Sequence, residues 1–144
     1  MLNAGVYKVN LTFSPATSFE EDVQVNYLST ALLAILLLPV LKAKKSGPIP
    51  GRITIVLSDT AAWAKFTEKT ADPLLPAFKT TPSKWDMQER YSTSKLLGQL
   101  FLSELAKQVH PSVVTIDCVN PGFCYGYGLQ PDGAGTLLGF LSAC

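Results

Sequence analysis

Cysteine, histidine and excess charge are all scarce in this sequence. Three cysteines and one histidine occur among 144 residues, and Cys118, Cys124 and Cys144 do not have the spacing of metal ligands. An odd number of cysteines without a signal-peptide pattern predicts a reducing, cytoplasmic compartment and no disulfide framework. A formal net charge of +1 gives no electrostatic reason to expect a nucleic-acid partner. We therefore predict neither a metal site nor a nucleic-acid surface.

A hydrophobic run long enough to cross a bilayer is also missing. The longest apolar stretch, Leu28 to Leu41, falls short of the about 20 residues that a spanning helix needs, and Asp22 and Lys42 place charges on either side of it. We expect a buried helix here and no membrane span. With 47% hydrophobic and 16% charged residues, the composition is typical of one globular domain rather than of a disordered chain.

Two short β-branched runs alternate with two helical patterns. Arg52–Ser58 and Ser112–Val119 have the continuous apolar character of buried parallel strands. The first helix is predicted to begin at a capping box, Ser18–Glu21, and to end near Leu41. The second is predicted over Tyr91–Val109, where His110-Pro111 ends it. The order helix, strand, helix, strand predicts an α/β fold with a parallel sheet.

A tyrosine and a lysine four residues apart begin the second predicted helix. On a helix, Tyr91 and Lys95 lie on one face. A neighbouring ammonium favours the phenolate and lowers the pKa of a tyrosine, which would bring proton exchange closer to neutral pH. The pair alone is weak evidence, because many helices carry such a pair by chance as a solvated surface pair. Apolar residues follow at helical spacing: Leu97, Leu100, Phe101 and Leu105.

Four further features occur in order around this pair. Asn3-Ala4-Gly5 ends a short apolar segment in a turn, Asn26 interrupts the apolar first helix, Ser58 ends the first strand, and Asn120-Pro121-Gly122 ends the second. Doubly wound sheets bind ligands at the carboxyl ends of their strands. Each feature by itself has an ordinary alternative, namely a generic turn, a hydrogen-bonded core asparagine or a loop serine.

With these features in this order, the chain resembles the short-chain dehydrogenase/reductase family, most of all its retinol-dehydrogenase-like members and its fungal members of secondary metabolism. The resemblance implies a partial Rossmann-like doubly wound fold, in which residues 1–144 form a single, incomplete domain. It also implies an oxidoreductase that interconverts an alcohol and a carbonyl on a hydrophobic small molecule, with NADP or NAD as cofactor.

The same resemblance implies a role for each site residue. Tyr91 would transfer the proton, Lys95 would lower its pKa and bind the nicotinamide ribose, and Ser58 would hydrogen-bond the substrate oxygen. Asn26 would hold a relay water linked to Lys95. The other cofactor contacts would come from Asn3, Pro121 and Gly122, together with Tyr91 and Lys95.

The chain departs from the family pattern in several places. Leu2 stands where the family has an asparagine, Ser29 where it usually has a glycine, and no hydroxyl follows Gly122 until Thr136. The glycine-rich strand–turn–helix that cradles a pyrophosphate has no counterpart in the sequence. Two alternatives stay open: an oxidoreductase completed by another chain or a longer gene product, or a truncated non-catalytic remnant or interaction module. Pairing with a full-length relative and homo-oligomerisation are both compatible with this sequence.

The long irregular stretch Ala61–Glu89 separates the first strand from the Tyr91 helix. Stretches of this length without regular structure are usually functional or disordered. Its aromatic content predicts packing over a hydrophobic substrate site, the alternative being a surface loop anchored by Trp63 and Trp85. The sequence sets neither the substrate nor the choice between NAD and NADP.

Overall fold

The computed structural model describes residues 1–44 and 47–122. The predicted alternation of helices and strands is confirmed, and the features predicted beyond Gly122 lie outside the described residues. Three 3₁₀ turns follow the first strand: Asp59–Trp63, Thr67–Thr70 and Leu75–Lys79. The main elements in chain order are α1 (Glu21–Val23), a π-helical segment (Gln24–Ser29), α2 (Thr30–Ala43), β1 (Gly51–Val56), α3 (Met87–Gln108) and β2 (Val114–Val119).

The sheet is parallel and has β1 at its centre. Gly51 pairs with Val114 at one end of the β1–β2 ladder and Val56 pairs with Val119 at the other. On the opposite side of β1, Leu2 forms a parallel bridge, in which its N–H donates to the Thr54 carbonyl at 2.7 Å. Because all three segments run in the same direction, the residues that follow them meet at one edge of the sheet.

Two apolar clusters hold these elements together. A glycine makes the packing of α3 on β1 possible, since a Cβ at Gly98 would lie only 2.7 Å from a methyl carbon of Leu57. Burying each large aliphatic or aromatic side chain contributes about 1.5–3 kcal/mol. The buried members of the cluster on the sheet are Ala34, Ile53, Ile55, Leu57 and Val114, and those of the second cluster are Val23, Phe78 and Leu97.

The first helix differs from the prediction at its start and in its middle. Ser18 does not cap it, because this residue has a φ of 61° and the helix begins at Glu21 without a side-chain cap. The π-helical segment then widens the helix around Asn26, and the Thr30 hydroxyl donates to the Val25 carbonyl at 3.1 Å. Insertions of this kind occur often at functional sites.

The outer face of α2 is apolar and exposed. The prediction of a buried helix is therefore wrong for this face, since only Thr30, Ala31 and Ala34 are buried along α2. The continuous helical segment Glu21–Ala43 has 23 residues and is long and apolar enough to cross a membrane by length and composition, which corrects the shorter length predicted from the apolar run. The exposed residues are Leu32, Leu33, Ile35, Leu36 and Val40.

Candidate active site

Ser58 and Tyr91 meet at the carboxyl end of β1. Tyr91 lies near the start of α3, where the Asp86 carboxylate caps the helix by accepting the Glu89 N–H at 3.1 Å. Ser58 follows β1, and its hydroxyl accepts the Thr60 N–H at 3.3 Å. The Ser58 hydroxyl lies close enough to the Tyr91 phenol to lower the pKa of this phenol. Two side chains that are 33 residues apart in the sequence thus face one point.

Lys95 lies one helical turn after Tyr91 and is almost fully buried, at 4% exposure. Its Nζ is 5.5 Å from the centre of the Tyr91 ring and donates to the Val56 carbonyl at 3.2 Å. The ammonium is therefore held between the end of β1 and the ring of the tyrosine. Burial lowers the pKa of Lys95, and the negative charge of Asp22 opposes this shift.

The Asn26 side chain hydrogen-bonds both the backbone that follows the Asn3–Gly5 turn and a side chain of α3. Its Oδ1 accepts the Val6 N–H at 2.8 Å, and its Nδ2 donates to the Val6 carbonyl at 2.9 Å. The second amide hydrogen reaches the Ser94 hydroxyl, also at 2.9 Å. Because both hydrogens of the amide are in use, any water held by Asn26 must donate to Oδ1.

The predicted turn at Gly5 lies directly against the site. A Cβ at Gly5 would be 3.4 Å from Asn26 Oδ1 and 3.6 Å from Lys95 Nζ. Both polar groups thus approach one point beside the turn. The absence of a side chain at Gly5 leaves the space in front of them open.

Asn3, Pro121 and Gly122, the other predicted cofactor contacts, lie at the same edge of the sheet and are solvent-exposed. We call them the rim residues. Asn3 is exposed at the end of the Leu2 segment, and Pro121 and Gly122 are exposed after β2. Gly122 has a φ of 69°, and its N–H donates to the Asn120 side chain at 3.1 Å. The structure therefore brings Tyr91, Lys95, Ser58 and Asn26 together, and it places the three rim residues at the exposed edge around them.

The pKa of Tyr91 is raised, whereas the sequence predicted a lowered value. Burial is the largest cause, and the nearby Ser58 hydroxyl opposes it. The charges of Asp22 and Asp59 raise the pKa of Tyr91 further. The ammonium of Lys95 lies over the ring of Tyr91, 5.5 Å from its centre. Desolvation of the phenolate therefore determines the direction in which the pKa of Tyr91 shifts.

Sequence reasoning missed two residues next to Tyr91. The ring of Tyr7 packs on the Tyr91 ring, with centroids 4.6 Å apart and planes inclined by 31°. Asp22 is buried, at 1% exposure, and its charge acts on Tyr7, Tyr91 and Lys95. The spacing of four residues between Asp22 and Asn26 could have indicated a shared helix face. Tyr7 lies in an irregular segment, where no periodicity could have indicated its position.

Curated proteins from fungi are similar to this chain over most of its length. The chain is 53% identical over 143 residues to the short-chain dehydrogenase fogG of Aspergillus ruber, a match that covers 98% of this chain and 41% of the relative. It is 47% identical over 135 residues to the short chain dehydrogenase/reductase mfmJ of Annulohypoxylon moriforme, covering 94% of this chain and 39% of the relative. The chain belongs to the short-chain dehydrogenase/reductase family.

This membership confirms the resemblance to a family of oxidoreductases, whose members generally use NAD or NADP. A third short-chain dehydrogenase, sol3 of Alternaria solani, is 46% identical over 127 residues, covering 86% of this chain and 43% of the relative. The chain thus spans about two fifths of the length of these short-chain dehydrogenases.

Two other comparisons add little to the family assignment. No family model matches the chain. The Caenorhabditis elegans protein Sniffer gives a TM-score of 0.49 at 24% identity, over 83% of this chain and 49% of that one. This likeness is too low to support an argument about the short-chain dehydrogenase/reductase chain.

Proposed function

We propose that the chain carries the proton-transfer half of an NAD(P)-dependent oxidoreductase, which interconverts an alcohol and a carbonyl on a hydrophobic small molecule. The observation that supports this proposal best is the buried Lys95 ammonium, which lies 5.5 Å from the centre of the Tyr91 ring at the end of β1, where Ser58 acts on the Tyr91 phenol. Two hydroxyl groups that converge on one point can both hydrogen-bond a substrate oxygen. A proton can then pass between the phenol and that oxygen.

The raised pKa of Tyr91 favours one direction of this chemistry. Burial keeps the side chain as a neutral phenol, which is the form that donates a proton to a carbonyl oxygen. Ser58 would stabilise the negative charge that develops on this oxygen. The ammonium of Lys95 would stabilise the phenolate that remains on Tyr91. We therefore propose carbonyl reduction as the favoured direction in this chain.

The residues present fit the nicotinamide end of the proposed cofactor. The open space at Gly5 gives access to Lys95 and Asn26, as the distances to a Cβ at this position indicate. Lys95, Tyr91 and the rim residues Asn3, Pro121 and Gly122 would hold this end. The cofactor would supply the hydride when it is bound. The pyrophosphate end requires residues outside this sequence, which we propose come from a second chain or from a longer gene product.

A titration with NADPH and NADH tests this proposal. Saturable quenching or enhancement of nicotinamide fluorescence, with a Kd of about 1 mM or lower, is the expected result. Lys95→Met should weaken it about tenfold or more, because a charged hydrogen bond is worth about 1.5–3 kcal/mol. Lys107→Met is the matched control, since this lysine is 65% exposed on the same helix and pairs with Glu104. Flat traces from a chain with a folded circular-dichroism spectrum would contradict the proposal.

A second candidate function is an interaction module without cofactor binding. The exposed apolar face of α2 is the observation that favours it, because contiguous apolar patches mark protein or membrane contacts. In that case the face would bind a second copy of this chain or a full-length relative. Flat nicotinamide traces together with self-association would support this second function.

A further inference from the structure

We propose that Tyr7 is a specificity-determining residue, whose ring forms an aromatic wall beside Tyr91 and favours a flat, conjugated ketone over a saturated one. This inference rests on the proposed function, because it takes Tyr91 as the group that meets the substrate oxygen. Tyr7 is half-buried, and burial is the largest cause of its raised pKa. Its position places a second aromatic ring against the reactive one.

The contact between the two rings has the geometry of an aromatic pair. Their centroids are 4.6 Å apart and their planes are inclined by 31°. Aromatic rings attract each other at centroid separations of about 4.5–7 Å. The Tyr7 ring therefore lies directly beside the ring of the residue at which a substrate would react.

Hydrogen bonds on both sides hold the backbone at Tyr7 in place. On one side, the amide of Asn26 makes two hydrogen bonds to the backbone of Val6, at 2.8 and 2.9 Å. On the other side, the Trp85 indole N–H donates to the Val9 carbonyl at 2.8 Å. A ring that is held in this way forms a preorganised surface, since little further ordering is needed when a ligand binds.

The position of the substrate follows from the two hydroxyl groups. A carbonyl oxygen that accepts from Ser58 and Tyr91 brings its carbon to within about 3.5 Å of the reacting groups. Because the Tyr7 ring lies against the Tyr91 ring, one substituent of that carbon would lie beside the Tyr7 ring. A flat π system can stack on the ring or meet its edge, whereas a saturated ring lacks the complementary quadrupole. The geometry therefore selects for conjugation next to the carbonyl.

The test measures binding without cofactor, using acetophenone and cyclohexyl methyl ketone as probes. The full chain with ¹³C-labelled tyrosine rings is titrated with each ketone, and the Tyr91 resonance is assigned with Tyr91→Phe. Acetophenone should bind about fivefold more tightly than its saturated analogue. Tyr7→Leu should remove this preference by weakening acetophenone alone, and Tyr7→Phe should keep it because the ring is retained.

The matched control is Tyr27→Leu, a half-buried tyrosine whose ring meets Phe101 edge-on at 6.4 Å; it should leave the preference intact. Circular dichroism checks the fold of each variant, and Tyr7→Met replaces the leucine variant if that one is unfolded. Equal affinities for the two ketones, no shift of Tyr91 with either ketone, or an equal loss of both in Tyr7→Leu would each overturn the inference. If the proposed function alone fails, the chain should still bind acetophenone more tightly than its saturated analogue in a Tyr7-dependent way, but it should bind neither NADPH nor NADH.

Discussion

Tyr91 lies among one positive group and several negative ones. Lys95 is 5.5 Å from the centre of its ring, whereas the charges of Asp22 and Asp59 raise the pKa of the phenol. Burial outweighs all of these charges as the cause of the raised pKa. A Tyr-x-x-x-Lys spacing therefore places the two side chains together but does not decide the protonation state of the tyrosine.

Replacing Asp22 by asparagine tests the contribution of this buried charge. Asp22→Asn should lower the pKa of both Tyr91 and Lys95, because the carboxylate raises both values in the native chain. The Tyr91 phenolate is measured by its absorbance near 295 nm as the difference between Asp22→Asn and Asp22→Asn/Tyr91→Phe. Asp72→Asn, at an exposed position, is the control and should change neither pKa. An unchanged or raised Tyr91 pKa in Asp22→Asn would show that this carboxylate does not act on the site.

At the scale of elements, Arg90 joins α1, the 61–89 segment and α3. Its guanidinium contacts the Glu20 carboxylate and pairs with Glu68 at 2.8 Å, and it lies 5.0 Å from the centre of the Phe78 ring. Phe78 is fully buried. The 61–89 segment is therefore anchored by a buried ion cluster, by Phe78 and by Trp85, whose indole N–H donates to the Val9 carbonyl. Trp63, the other tryptophan that the sequence suggested as an anchor, is 64% exposed.

Removing the guanidinium should release the 61–89 segment. Arg90→Met leaves two carboxylates without their partner, and breaking a buried ion pair in this way destabilises a protein by about 3–5 kcal/mol. Urea unfolding measures the loss, and faster tryptic cleavage after Lys65 and Lys69 reports the release of the segment. Arg52→Met removes a largely exposed pair with Asp117 and should change the stability by no more than about 1 kcal/mol. Equal effects of the two variants would mean that Arg90 does not anchor the segment.

The same cluster makes the stability of the chain depend on pH. Burial raises the pKa of Glu20 to about 7 despite the charge of Arg90. Burial also raises the pKa of Glu68, but its hydrogen bond and charge pairing with Arg90 outweigh this effect and leave the value lowered. One guanidinium thus favours the ionised form of Glu68, whereas the fully buried Glu20 keeps its proton until the pH approaches 7.

Glu20 binds its proton more tightly in the folded than in the unfolded chain, so its contribution to stability is present below its ordinary pKa of 4.5 and is lost as the pH rises toward 7. The free energy of unfolding of the wild type, minus that of Glu20→Gln, should therefore decrease between these pH values. The expected decrease is on the order of 1 kcal/mol or more, measured by urea unfolding at a series of pH values. The difference between the two proteins removes the opposite contribution of Glu68. A difference that increases over this range would reverse the assignment.

At the scale of the whole molecule, the exposed face of α2 carries five of the exposed large hydrophobic side chains among the described residues. Leu32, Leu36 and Val40 follow each other at a spacing of four residues, and their exposed fractions are 58%, 58% and 44%. A helix that is apolar on all sides is normally buried on all sides. Under the second candidate function, a second copy of this chain, packed helix against helix, would cover this face.

A charge in the centre of the face tests this arrangement. Leu36→Asp should weaken self-association about tenfold or more in sedimentation velocity, because an unpaired charge would be buried between the two copies. Ile49→Asp is the control, since Ile49 is 78% exposed in the connector before β1. A wild-type chain that is monomeric at about 0.1 mM would contradict the proposal, and binding to lipid vesicles that Leu36→Asp abolishes would point to a membrane surface instead.

Much of the fold follows from local patterns. The alternation of helices and strands, the Tyr91–Lys95 spacing and the position of Ser58 at the end of β1 were all predictable, because periodicity and turn residues act over a few neighbouring residues. The order of these features also indicated the family. The cap at Ser18 and the regular geometry around Asn26 were predicted wrongly, since backbone contacts with other segments override local preference there.

Tertiary structure alone decided the electrostatics of the site and the surfaces that are left uncovered. The raised pKa of Tyr91 depends on burial, and the ring of Tyr7 reaches Tyr91 from 84 residues away in the sequence. The anchoring of the 61–89 segment depends on Arg90 of α3, which contacts both Glu68 in this segment and Glu20, 70 residues earlier in the sequence. Desolvation and charge act through space, so the sequence determined which groups are present, and the packing of the chain determined which of them are neighbours.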